Sequence, residues 1–188
     1  MVQLVIFYVD FQRNDFHNSV DWDENRKMLR VYFRVDFLSD CVSYDIQNGV
    51  PLRSSHNNAL WDLAQYEFCW HKFADISETG FGVALLDDCK YGYSCKRNTL
   101  GMSLIRSPKW PYTKADIGLH EFTYSLYSHK GNELSDVSKE GFSLNFPLKN
   151  YLPNKLEDCQ SDSFIEIDET NVILDDLKLA RMMQTNLL

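Results

Sequence analysis

Gly118–Tyr124 reads Gly-Leu-His-Glu-Phe-Thr-Tyr, one residue short of the metalloprotease signature His-Glu-x-x-His, with Tyr124 in place of the second histidine. That signature works on a helix, where its two imidazoles share a face. Here Phe122, Tyr124 and Leu126 alternate with Glu121, Thr123 and Ser125. Such alternation marks a strand, which sends His120 and Glu121 to opposite faces. The pattern therefore argues against zinc-assisted proteolysis. It leaves His120 as a structural side chain or as part of a cleft wall. His17, His56, His71 and His129 show no ligand spacing with one another, and no His-x-Asp or His-x-x-x-His occurs. Gly-x-Ser-x-Gly, Walker and GxGxxG motifs are also missing, so serine-hydrolase, P-loop and dinucleotide-binding readings have no support.

Adjacent carboxylates Asp87 and Asp88 suggest acid–base work. Retaining glycoside hydrolysis needs two carboxyl groups about 5–5.5 Å apart across the scissile bond. Neighbours on a strand point apart, so these two fit a polar strand end before a turn better than a catalytic pair. Arg106 ends an alternating run just before Ser107-Pro108. A guanidinium there can donate its planar fork to sugar hydroxyls or a carboxylate, or can brace a loop. Trp61, Trp70, Tyr91, Tyr93 and Trp110 could stack on a sugar ring, although such side chains more often fill a core.

The elements that must position these residues are strands. In Met28–Phe37, Leu29, Val31, Phe33, Val35 and Phe37 face one way, while Arg30, Tyr32, Arg34 and Asp36 face the other. This period of two predicts one buried and one wet face. Val42, Tyr44 and Ile46 repeat the pattern, as do Leu100, Met102 and Leu104. Asn48-Gly49 and Glu78-Thr79-Gly80 are turn signals, and Lys96-Arg97-Asn98 is a hairpin tip. Ser107–Ala115, with Pro108 and Pro111, cannot be a central strand. Polar Lys130–Gly141 and Lys149–Ser163 read as exposed loops. In the tail, Ile173, Leu177 and Ala180 have helical spacing, but an extended segment is favoured below.

At 188 residues the chain is long enough for one domain with a real core. The 14% aromatic content favours an all-β domain. A net charge of −8 argues against nucleic acid and anionic membranes as partners. Five irregularly spaced cysteines, Cys41, Cys69, Cys89, Cys95 and Cys159, read as buried or half-buried free thiols. The apolar start Met1–Phe11 lacks the basic region and cleavage site of a signal peptide. No run approaches the ~20 apolar residues of a membrane span. These features predict a cytoplasmic setting.

A larger pattern joins these pieces. Trp61-Asp62, His71-Lys72, Ala-Asp-Ile-Ser-Glu (74–78), Gly-Phe-Gly-Val-Ala-Leu-Leu (80–86) and Lys-Tyr-Gly-Tyr (90–93) follow one another in a fixed order. Asn98–Pro108 and Gly118–His129 continue the series. Together, from about Val20 to about Ala180, they resemble the C-terminal β-rich part of glycoside hydrolase family 38 α-mannosidases, in the branch holding the cytosolic and many bacterial enzymes. Departures fall in loops: Arg53-Ser54-Ser55-His56 replaces Arg-Pro-Thr-His, and Ala59-Leu60-Trp61-Asp62 replaces Thr-Ser-Trp-Asp.

The resemblance implies an all-β antiparallel supersandwich of the galactose-mutarotase-like kind, expected to be incomplete at both ends. Residues 1–150 would hold the sandwich region, and residues 151–188 a linker and the start of a following β segment. The parent activity would be zinc-dependent, retaining hydrolysis of terminal α-linked mannose from oligosaccharides. No catalytic residue or metal ligand is expected in this chain, and zinc belongs to the presumed full-length enzyme. Asp88, Lys90 and Tyr91 sit where the family has an Asp-x-Lys-Tyr-Gly loop, and with Arg106 and His120 they are the expected cleft contacts. Expected partners are a mannose-containing oligosaccharide, the catalytic domain and, optionally, further copies of the chain. The alternative is a non-catalytic carbohydrate-binding or scaffold module. A third reading is a partly unfolded product with exposed sheet edges.

Overall fold

The computed structural model describes residues 1–131, 134–149, 165–169 and the single positions Val172, Leu174 and Leu177. The chain divides into two compact units, Met1–Asn150 and Tyr151–Leu188. The first holds strands β1 (Val2–Phe7), β2 (Arg13–Trp22), β3 (Met28–Arg34), β4 (Cys41–Tyr44), β5 (Leu52–Ser54) and β6 (Phe68–Cys69). They are followed by β7 (Phe73–Glu78), β8 (Phe81–Asp87), β9 (Gly92–Lys96), β10 (Thr99–Arg106), β11 (Gly118–His129) and helix α1 (Leu134–Asn145). Ile173 and Ala180 of the second unit lie outside the described residues, as do residues 150–163 of the expected loop.

Two antiparallel sheets face each other. The larger runs β1-β2-β11-β8-β7-β4-β5 and the smaller β3-β10-β9-β6. The alternation read in the sequence explains the core between them. Val42, Tyr44, Leu85, Phe122 and Tyr124 point inward from the large sheet, and Tyr93, Leu100, Met102 and Leu104 meet them from the small one. Leu29, Val31 and Phe33 of β3 pack against this core, as their period requires. Aromatic rings fill the seam: Phe16 stacks on Tyr124 at 5.1 Å and Tyr44 on Trp70 at 4.3 Å between centroids. The expected hairpin tip is present, with Lys96 paired to Thr99 and Arg97 at φ 57°. Ile46 departs from its predicted inward face. The chain turns after β4, and Ile46 bridges Gly49 across Asn48, at φ 62°.

The largest departure is Lys130–Gly141, expected as a loop. Most of it is helix α1, which covers the far face of the large sheet. Leu134, Val137, Gly141 and Leu144 fall at i, i+3, i+7 and i+10 and press on Phe73, Ala84, Leu86 and Tyr127. Gly141 matters because the helix lies close: a Cβ there would sit 3.3 Å from the Lys72 Cβ. The thiols also differ from expectation. Cys41, Cys69 and Cys89 are exposed, since they occupy strand ends and a loop, while Cys95 is buried.

A charged network fastens α1 to the sheet. Asp15 is buried on β2 and accepts hydrogen bonds from Arg13 Nε at 2.9 Å, Tyr8 Oη at 2.9 Å and Ser125 Oγ at 2.6 Å. Arg13 Nη1 reaches Glu140 of α1 at 2.9 Å. Removing one partner of a buried pair strands the other charge at a cost of about 3 kcal/mol. Arg13→Met is therefore expected to destabilise the domain by about that much in urea unfolding, and pairing it with Asp15→Asn should recover part of the loss. A change below ~1 kcal/mol in the single variant would contradict this account.

Candidate functional site

The expected cleft residues sort onto two sides of one loop. β8 ends at Asp87 and β9 begins at Gly92, so Asp88–Tyr91 forms the connection. On one side is a cavity of about 270 Å³ lined by Lys90, Arg106 and His120, together with Glu67, Ser103 and Asp116. On the other is a concavity lined by Tyr91 with His71, Lys72, Asn145 and Phe146. Three of the five candidates thus meet in one place. Tyr91 does not join them: the loop turns its ring to the other side, beside His71.

Each of the three arrives for a local reason. Arg106 follows a β-bulge: β10 pairs with β3 through Ser103↔Arg30 and then Ile105↔Leu29, leaving Leu104 unpaired. The bulge lets Leu104 and Ile105 both be buried and turns Arg106 outward. Its guanidinium makes no hydrogen bond or ion pair among the described residues. His120 lies near the start of β11, and its Nε2 stands 3.0 Å from the Asp116 carbonyl. Glu121 faces the opposite groove beside Val2 and Leu4, as strand alternation requires. Lys90 lays its ammonium 4.7 Å from the centre of the Phe122 ring, a cation–π contact that fixes its direction.

Asp88 does not line the cavity. Its Oδ2 accepts the Thr123 N–H at 2.9 Å, and its own N–H donates to the Thr123 carbonyl at 3.2 Å. It pins the loop to β11. Its Oδ1 is buried without a hydrogen-bond partner among the described residues.

Two features escaped sequence reasoning. The first is the cavity wall made by Glu67, which takes Arg30 Nη1 at 2.8 Å and Ser103 Oγ at 2.9 Å. Arg30 and Ser103 are legible only as wet-face residues of β3 and β10, and nothing in the sequence ties them to Glu67. The second is Asp87, expected as a polar strand end. It does end β8, but it points between the sheets and is fully buried. Its Oδ1 accepts the Lys90 N–H at 2.7 Å, and its Oδ2 accepts the Tyr93 hydroxyl. Burial pushes this carboxyl up to about 7, against the pull of the Tyr93 hydroxyl and the Lys90 amide. Burial and the Asp87 charge hold the Tyr93 phenol well above its usual value.

Among the described residues, no three His, Cys, Asp or Glu side chains gather as a metal site. The described residues therefore offer no ligand set for zinc. No helix among the described residues is long and apolar enough to cross a membrane.

Comparison with known proteins supplies the context. The family described as "Glycosyl hydrolases family 38 C-terminal domain" matches residues 1–114. Alpha-mannosidase G of Dictyostelium discoideum is 45% identical over 144 residues, which is 76% of this chain and 13% of that protein. The alpha-mannosidase of Saccharomyces cerevisiae is 43% identical over 166 residues, 87% of this chain and 15% of the relative. The chain thus spans about a seventh of the length of these curated relatives. The crystal structure of an alpha-mannosidase from Enterococcus faecalis V583 shares the fold with a TM-score of 0.69 at 19% identity, covering 76% of this chain and 17% of that one. With the sandwich built and the motif series matched over most of the first unit, the chain belongs to the glycoside hydrolase family 38 C-terminal domain family.

Proposed function

We propose that this chain forms one wall of the substrate cleft of a zinc-dependent, retaining α-mannosidase that removes terminal α-linked mannose from oligosaccharides. The observation that carries this reading is the meeting of Lys90, Arg106 and His120 in one cavity. Lys90 and Arg106 offer hydrogen-bond donors, His120 adds the ring nitrogen not turned to the Asp116 carbonyl, and Glu67 and Asp116 flank them with acceptors. Such a mixed set suits a neutral polyol. On this reading residues 1–150 are the sandwich region and 151–188 lead into a further β segment. The zinc and the nucleophile belong to a catalytic domain outside this chain, and the enzyme is cytoplasmic. Asp88 and Tyr91 act on the same loop, Asp88 by pinning it and Tyr91 by facing its other side.

The test is a chimera in which this chain replaces the matching segment of the Saccharomyces cerevisiae alpha-mannosidase. Lys90→Met, Arg106→Met and His120→Ala are each expected to lower kcat/KM on an α-mannoside by about tenfold or more, the effect of losing one or two good hydrogen bonds. Near-parental kinetics for all three would sink the assignment.

A second reading, a carbohydrate-binding module, is favoured by the Tyr91 concavity, where the half-exposed ring meets His71 edge-on at 6.1 Å. It requires that the isolated chain release heat on titration with mannose-terminated oligosaccharides.

A further inference from the structure

We infer that Asp87 is a positioning residue for Lys90, holding the Asp88–Tyr91 loop in the shape that presents the lysine to the cavity. This rests on the reading of that cavity as a sugar-binding wall. The geometry is a closed bracket. The Asp87 carboxyl reaches three residues along the chain to take the Lys90 N–H at 2.7 Å, the arrangement by which Asp side chains set turns. The other oxygen is held by the Tyr93 hydroxyl, which comes from β9 beyond the loop. The main chain of Asp87 is fixed on both sides as well. Its N–H donates to the Lys72 carbonyl at 3.1 Å, and its carbonyl accepts Asn145 Nδ2 of α1 at 2.8 Å. One end of the loop is thus anchored through a single fully buried side chain.

Lys90 is fixed twice. Its backbone is set by Asp87, and its side chain direction is set by the Phe122 ring. Asp88 adds a clamp to Thr123, the residue next to Phe122. The loop and the ring therefore keep one registration, and the ammonium enters the cavity from a fixed backbone. A carboxyl that served only to fill space would be a poor choice there, because burying it unpaired is unfavourable. Its two oxygens are taken by the loop amide and by the hydroxyl of Tyr93, the second residue of the next strand.

The ionisable groups around Asp87 are Tyr93 from β9, Asp88, Cys89 and Lys90 on its own loop, and the Lys72–Asp45 pair beside β7, linked at 3.2 Å. The raised Asp87 carboxyl provides a handle. Its ionisation near neutrality should be read by the amide it holds.

The experiment has two arms. The first follows the Lys90 amide by ¹H–¹⁵N NMR in the full chain between pH 5 and 9. It is expected to titrate near pH 7, and the titration should vanish in Asp87→Asn. A Lys90 amide that ignores Asp87 would overturn the inference whatever the sugar chemistry proves to be. The second arm uses the alpha-mannosidase chimera. Asp87→Val, which cannot accept a hydrogen bond, is expected to raise KM about tenfold, approaching the effect of Lys90→Met. Asp87→Asn, which keeps an acceptor for the Lys90 N–H, should restore most of that loss. If Lys90→Met itself leaves KM unchanged, the reading of the cavity fails rather than the bracket. If Lys90→Met raises KM and folded Asp87→Val does not, the bracket fails. Should Asp87→Val not fold, the NMR arm alone decides.

Discussion

Gly82→Ala is expected to destabilise the sandwich by about 3–5 kcal/mol, the range for overpacking a core and breaking a buried pair together. Gly82 sits on β8 between His129 of β11 and Ser77 of β7. A Cβ there would collide with the His129 ring and stand 2.8 Å from the Ser77 Cβ. The ring cannot swing away cheaply, because His129 Nε2 is 2.8 Å from Asp75 Oδ1 and both side chains are almost wholly buried. Asp75 Oδ2 and His129 Nδ1 have no hydrogen-bond partner among the described residues, so displacement would leave Asp75 without support. His129→Ala alone should cost a comparable amount, and adding Gly82→Ala to it should cost much less than in the parent. Urea unfolding of the two singles and the double measures this. Additive losses would show that the glycine and the histidine act separately.

The second large effect is a pH dependence of stability. The Asp87 carboxyl is raised from 3.8 to about 7 by burial. Between those values the folded protein keeps a proton that the unfolded chain releases, so stability falls as pH rises through this window. The stabilisation is fully present below pH ~4 and lost above pH ~7. A shift of about three units corresponds to about 4 kcal/mol, at ~1.4 kcal/mol per unit. Asp87→Asn cannot titrate, yet it keeps a carbonyl for the Lys90 N–H. The stability of the parent minus that of Asp87→Asn should therefore decline by about 4 kcal/mol from pH 4 to pH 8. A flat difference curve would mean that Asp87 ionises in the fold as readily as in water.

Strands β3 and β10 were legible because each alternates apolar with polar or small residues. Leu29-Val31-Phe33 and Leu100-Met102 show their period plainly, and both runs pack inward. Arg106 and His120 were legible in the same way, as residues at the ends of alternating runs, while Lys90 needed the family resemblance. Tyr91 was less so, because a loop turns each residue away from the last and periodicity no longer says which way it faces. Helix α1 was hidden by composition: Leu134, Val137 and Leu144 are spread among Ser, Lys and Glu, and Gly141 marks a close approach that looks like a turn signal. A clue lay elsewhere. Val83–Leu86 is an unbroken apolar run, which fits a strand covered on both faces. Leu85 does face the small sheet, while Ala84 and Leu86 face α1. The burial of Asp87 follows from the same double cover and has no signature of its own.

The Asp75–His129 contact also bears on how the chain avoids folding wrongly. Strands β7, β8 and β11 carry apolar residues on both sides of the sheet, so hydrophobicity alone would tolerate a slip of two residues between them. A polar pair that reaches across the middle strand does not. In the observed alignment Asp75 lies opposite Ala84 and His129 opposite Gly82, with small residues beneath both. A slip of β7 by two residues in one direction would instead set Asp75 against Leu86, away from the His129 ring. The pair acts as a key that favours this alignment of three strands, and the glycine is the notch cut for it.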